Sequence, residues 1–105
     1  MKKYDIILVD LNPVKSESIR PCIIIQNDLA NNFSRTYVVA IISSVIKDYP
    51  HTLIVNNSIQ NLNSVSRIDF LQIRTIDKER IISNVKLDLL YRDLFNEKLK
   101  IAFDL

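Results

Sequence analysis

Apolar residues in the first two thirds of the chain fall into short blocks separated by turn-forming residues. Tyr4 to Leu11 carries a central apolar run, Ile6 to Val9, and is stopped by Asn12-Pro13. Cys22 to Gln26 is a second block, and Thr36 to Ile42, rich in β-branched residues, a third. Blocks of this length bounded by Asn, Asp and Pro predict strands, the first two of them internal. Asn27 to Ser34 between them is polar and turn-rich, with a short helical turn predicted at Asp28 to Ala30. Ser43 to His51 reads as a loop, Thr52 to Val55 as a short strand, and Asn56 to Asn63 as a connection built on turn residues. Ser66 to Leu71 alternates imperfectly. Gln72 to Ile76 continues it with the two-residue period of a strand, setting Gln72, Arg74 and Ile76 on one face and Ile73 and Thr75 on the other.

The pattern then changes. Ile81 to Val85 reads as one more strand and Leu87 to Phe103 as a helix with Asp88 near its start. Tyr91, Phe95, Leu99 and Ala102 recur at helical spacing with Leu94 and Ile101 beside them, while Arg92, Glu97, Lys98 and Lys100 cover the other side. Such a helix packs its apolar face on a sheet. The sum is an α+β, mainly β, domain closed by a C-terminal helix, and 105 residues fit one domain, 1–105.

Composition narrows the function. A hydrophobic content of 48% with 25% charged residues is that of an ordinary globular protein. The formal charge of +2 does not by itself indicate nucleic acid or a membrane, so any anion site must come from local placement of basic residues. The apolar run after MKK is far shorter than a signal-peptide core, and no segment approaches the ~20 apolar residues of a membrane span, so a cytoplasmic protein without a membrane partner is expected. The single cysteine, Cys22, excludes an internal disulfide and reads as a small buried hydrophobe. The chain has no glycine. Positions needing a positive φ therefore fall to Asn and Asp, with Asn31-Asn32, Asn56-Asn57, Asn61 and Asn63 placed where turns are expected.

No glycine-rich phosphate loop, CxxC pair, second histidine for zinc or nucleophile elbow is present, so neither a metal nor a nucleotide cofactor is expected. What remains are polar groups at strand ends: Arg20 before Pro21, Ser43 and Ser44 after Val38 to Ile42, His51 after Pro50, and Gln72 and Arg74 within a strand. Each has a plain structural reading. Arg20 fits a loop, the serines a turn, His51 a solvated or packed ring, and Arg74 an ion pair with Asp77 or Asp69.

In order and spacing, however, DIILVDLNP, RPCIIIQND, NNFSRTYVVAIISS and above all QIRTIDKERI resemble the MazF/PemK toxins of bacterial toxin–antitoxin systems, over about Lys3 to Leu105. The resemblance implies an SH3-like barrel with a C-terminal helix, as in the CcdB and MazF toxins. It implies a homodimer acting as a sequence-specific, metal-independent endoribonuclease (mRNA interferase) on single-stranded RNA. It also implies neutralisation by a cognate antitoxin, and operator DNA binding through the antitoxin complex. The family's catalytic pair falls on Arg20 and Ser43, and an RNA-contacting Arg falls on Arg74. Gln72, Ser44, His51, Lys15 and Glu17 are the further RNA-binding candidates. Two other readings are a CcdB-like toxin that grips gyrase near Ile101 to Leu105, and a family member that only binds antitoxin or DNA.

The chemistry suits these groups. In metal-free cleavage the ribose 2′-OH attacks the adjacent phosphorus, and a planar guanidinium matches two phosphate oxygens of the resulting phosphorane. Arg20 is therefore expected to stabilise charge and Ser43 to orient the phosphate or the 2′-OH, with the proton acceptor unassigned. Phe70, Tyr37 and the exposed helix end are expected to supply an apolar dimer patch. The chain departs from the family pattern in a short, glycine-free KSESI segment before Arg20, in Leu71 where an acidic residue often precedes QIRT, in a shortened loop from Ser43 to Pro50, and in Tyr4 at the usual glycine.

Overall fold

The computed structural model describes residues 1–12, 14, 19–55, 65–85 and 91–105. The strands are β1 (Ile6–Asp10), β2 (Ile19–Ile24), β3 (Thr36–Ser43), β4 (Thr52–Val55), β5 (Ser66–Asp77) and β6 (Ile81–Val85), and the helices are α1 (Asp28–Phe33) and α2 (Arg92–Phe103). The strands form a six-stranded sheet in the order β4-β5-β3-β2-β1-β6. Every pairing is antiparallel.

Alternation along the strands divides the core in two. Ile6, Ile23, Ala40, Ile42, Ile68 and Phe70 point to one face, where Tyr4, Val55 and Phe95 of α2 close over them. Their sequence neighbours Ile7, Cys22, Ile24 and Val39 point to the other face, with Val9, Tyr37 and Ile76. Among the described residues no helix residue joins this second cluster. Ile81 of β6, at one end of the strand order, packs into it together with Ile76 of β5, so the sheet curls over its own inner face as a barrel does.

Local chemistry explains the joints. Asn27 caps α1 by accepting a hydrogen bond on Oδ1 from the Ala30 N–H at 2.8 Å. Gln26 braces the entry to β3, its Nε2 donating to the Thr36 carbonyl and its Oε1 accepting from the Val38 N–H. α2 seats Phe95 against Tyr4, Phe70 and Tyr91 at ring-centroid distances of 5.2, 6.0 and 6.1 Å. It ends at Asp104, whose φ of 54° and N–H to the Lys100 carbonyl make a left-handed cap.

Several expectations are corrected. β2 begins at Ile19 rather than Cys22, because Ile19, Arg20 and Pro21 pair with Asp10, Val9 and Leu8 of β1. The ladder from β2 to β3 starts only at Cys22, one residue past the proline that lacks an N–H. Asn31-Asn32 lies inside α1 rather than in a turn, and the Asn31 side chain is buried, donating to the Gln26 carbonyl. Asn56, Asn57, Asn61 and Asn63, and residues 87–90 of the expected helix, lie outside the described residues. The positive φ angles among the described residues belong to Asp104 and Tyr4, the latter at 73°. Phe70 and Tyr37 are buried in the two clusters and cannot form a surface patch. The helix end is exposed as expected, at Ile101, Phe103 and Leu105, and Leu71 and Ile73 on β5 are among the other exposed apolar residues.

Candidate active site

The end of β3 and the starts of β2 and β5 come together at one end of the curled sheet. The register of β2 on β3 runs Cys22↔Ile41, Ile23↔Ala40, Ile24↔Val39. Continued by two residues, it sets Arg20 across from Ser43, the last residue of β3. Side chains directly opposite on antiparallel strands share a face. Cys22 and Val39, on the same alternation, belong to the inner cluster, so Arg20 and Ser43 project from that face where it opens to solvent.

Arg20 is exposed and its Nη1 donates to the Ile19 carbonyl at 3.2 Å. Ser43 Oγ accepts the Val45 N–H at 3.1 Å, which fixes the hydroxyl at the start of the following turn. Its proton is still available to a ligand oxygen. The plain turn reading of Ser43 is thus correct, and it is compatible with contact to an anion. Ser44 follows as an exposed residue of the same turn.

Arg74 lies on the same inner face but further along. It pairs with Val39, four residues of β3 from Ser43, or about 13 Å at strand rise. Burial pushes the Cys22 thiol up to about 12, and the Arg74 charge acts against that shift. Cys22 is therefore a packed, protonated thiol and not a nucleophile. Neither Asp69 nor Asp77 lies within ion-pair distance of Arg74. Asp77 accepts the Glu79 N–H, and Asp69 accepts the Leu71 N–H and lies 3.5 Å from His51 Nε2.

The register between β3 and β5 is broken. Ala40 faces Ile73 while Ile42 faces Ile68, so Asp69 to Gln72 stand against the single Ile41. This irregularity offsets Gln72 and Arg74 from the row that holds Ser43. The predicted two-residue alternation beyond it is correct, with Arg74 and Ile76 opposite Val39 and Tyr37, and Ile73 and Thr75 opposite Ala40 and Val38.

His51, just before β4, stacks on Tyr49 with ring centroids 5.5 Å apart. Its carbonyl accepts the Phe70 N–H. With β5 and β3 standing between β4 and β2, His51 is not a neighbour of Arg20. Lys15 and Glu17 lie outside the described residues.

One residue of this end of the sheet was not among the expected ones. Arg67 pairs directly with Ser43 and is buried, 6% exposed. The sequence hides it because Ser66-Arg67-Ile68-Asp69-Phe70 reads as an alternating strand with a polar face toward water. The usable signal was that two charged residues at that spacing, alternating with the apolar residues Ile68 and Phe70, must share one face.

A model of the family described as PemK-like, MazF-like toxin of type II toxin–antitoxin system matches residues 2–101. The chain is 34% identical over 111 residues to the endoribonuclease EndoA of Bacillus subtilis, covering 100% of this chain and 96% of that protein. It is 40% identical over 86 residues to the endoribonuclease MazF of Staphylococcus saprophyticus, covering 77% of this chain and 72% of that one. Among solved structures, a mycobacterial endoribonuclease in complex with its cognate antitoxin superposes with a TM-score of 0.83 at 15% identity, covering 100% of this chain and 96% of that one. The Mycobacterium tuberculosis toxin MazF-mt6 superposes with a TM-score of 0.80 at 20% identity, over 95% of this chain and 96% of that one. The mainly β architecture with a C-terminal helix is the fold of these toxins.

Proposed function

The chain belongs to the PemK/MazF family of type II toxins, and from that premise we propose that it is an endoribonuclease toxin that cuts single-stranded mRNA sequence-specifically and without a metal ion. The observation that carries this reading is the β2–β3 register, which, continued two residues beyond Cys22↔Ile41, sets Arg20 across from Ser43 at the exposed end of the inner face. As the 2′-OH loses its proton, the O2′–P bond forms, the P–O5′ bond breaks, and the departing 5′ oxygen takes up a proton. The products are a 2′,3′-cyclic phosphate and a 5′-OH. Arg20 holds the non-bridging oxygens as charge builds on them, and Ser43 donates its hydroxyl to the same phosphate. Arg74, with Gln72, binds the strand at a second position, and Ser44, His51, Lys15 and Glu17 contribute to base or backbone recognition. The relatives named above are endoribonucleases, which favours this reading over a gyrase-binding toxin.

Incubation of the purified protein with mixed single-stranded RNA in excess EDTA is expected to yield fragments with 2′,3′-cyclic phosphate and 5′-OH ends. Intact RNA, or cleavage that EDTA abolishes, would reject the proposal.

The same reading includes a cytoplasmic protein, neutralisation by a cognate antitoxin, operator DNA binding through that complex, and a homodimer. No helix among the described residues is long and apolar enough to cross a membrane. From Leu71 to Thr75 β5 is exposed on both faces, and its pairing with β4 ends at Asp69, which leaves one backbone edge without a strand partner among the described residues. A strand in this state calls for a partner surface. Sedimentation at micromolar concentration is expected to show a species of twice the 12.2 kDa chain mass. Leu71→Asp is expected to shift it to the monomer; a monomeric wild type would contradict the assignment.

A further inference from the structure

Arg67 is a cation placed where the protein leaves it short of counter-charge. It is 6% exposed, and its Nε is enclosed with no hydrogen-bond partner among the described residues. No described carboxylate lies within 4 Å of it. Asp69, two residues on and on the same face, is engaged by the Leu71 N–H and by His51. A largely buried guanidinium with an enclosed Nε and no anion is costly, since buried charges are normally paired.

The register shows where an anion would sit. Ser43 faces Arg67 on one side and, by continuation of the β2–β3 ladder, Arg20 on the other. The three side chains form one row across β2, β3 and β5 and share the inner face. At ordinary strand spacing the two arginine Cα atoms stand about 10 Å apart, with the serine hydroxyl midway. Two guanidinium forks converging from that separation can grip one phosphate held over Ser43 from opposite sides.

We propose that Arg67 is a further phosphate-binding residue of the cleavage site, completing with Arg20 a two-arginine clamp on the scissile phosphate of single-stranded RNA. This rests on the ribonuclease reading and adds a residue to it. When O2′ attacks, the non-bridging oxygens of the phosphorane carry the added charge, and Arg67 shares it with Arg20. Arg67 neither gives nor takes a proton.

The test compares Arg67→Met and Arg67→Lys with the wild type in three measurements. These are single-turnover cleavage of a single-stranded RNA, affinity for the all-2′-deoxy oligonucleotide of the same sequence as an uncleavable probe, and thermal unfolding. Arg67→Met is expected to cleave on the order of a hundredfold more slowly and to bind the probe more weakly. Its unfolding temperature should equal or exceed that of the wild type, because an uncompensated buried charge is gone. Arg67→Lys, keeping the charge but not the fork, should fall between the two. Cleavage and probe affinity at the wild-type level in Arg67→Met would overturn the proposal. So would a lowered unfolding temperature with wild-type cleavage restored on cooling, since Arg67 would then be structural. If Arg67→Met does not fold, wild-type cleavage and affinity in Arg67→Lys would overturn the proposal, and reduced values would support it. A wild type that cuts no RNA would overturn the ribonuclease reading instead, and probe affinity would still show whether Arg67 binds phosphate.

Discussion

Arg20→Ala is expected to cut RNA about a hundredfold more slowly than the wild type, or slower still, with stability changed by no more than about 0.5 kcal/mol. The separation of the two effects follows from position. Arg20 sits within β2, its backbone held by pairing with Val9, while its side chain is exposed and contributes no apolar packing. Its removal deletes a charge aimed at the substrate without opening the core. Arg20→Lys should recover only part of the rate, because an ammonium lacks the planar fork that matches two phosphate oxygens. Single-turnover cleavage read alongside thermal unfolding decides the matter. Unchanged cleavage in Arg20→Ala would remove Arg20 from the site, and a parallel collapse of stability would mark it as structural.

The largest stability effect is expected at Phe95. Its side chain is fully enclosed and contacts the rings of Tyr4, Phe70 and Tyr91. It therefore holds α2 to the sheet and the chain's N-terminal segment to both. Phe95→Ala removes a buried aromatic and leaves a cavity that β5 cannot fill, at a cost of about 3–5 kcal/mol. Against the ~5–15 kcal/mol that a domain of this size has in total, that is about a fifth of its stability or more. Urea unfolding should show the midpoint falling with little change in slope. A loss below 1 kcal/mol would mean that α2 is only loosely attached.

How much was legible before the structure depended on whether local pattern and tertiary partner agreed. β4 and β6 have the expected limits, and β3 differs from its expected range only by including Ser43, because their apolar or β-branched residues end at clear turn residues. Tyr91, Phe95, Leu99 and Ala102 do pack on the sheet. Motif order points to Arg20 and Ser43, and the β2–β3 register, continued past Cys22↔Ile41, sets the two across from each other. The sequence sets the start of β2 too late because Pro21 suggests a boundary, whereas β1 supplies pairing partners for the residues on both sides of that proline. The break in register on β5 leaves no mark in a sequence that alternates on either side of it. Arg67 and Asp69 were hidden for a related reason: polar letters in an alternating strand normally mean water, and here both are buried.

The absence of glycine acts on the unfolded chain as well as the folded one. Tyr4 holds a φ of 73°, a region costly for a bulky side chain by roughly 1–3 kcal/mol. Its ring rests on Phe95 and its hydroxyl bonds Asn96, so the conformation is over-determined by packing. Each glycine a sequence does without, where the native backbone tolerates a side chain, narrows the denatured ensemble by about 0.4–1 kcal/mol. A chain with none thus begins folding from fewer conformations than a typical small β protein. The strain concentrated at Tyr4 is set against entropy that the disordered state never had.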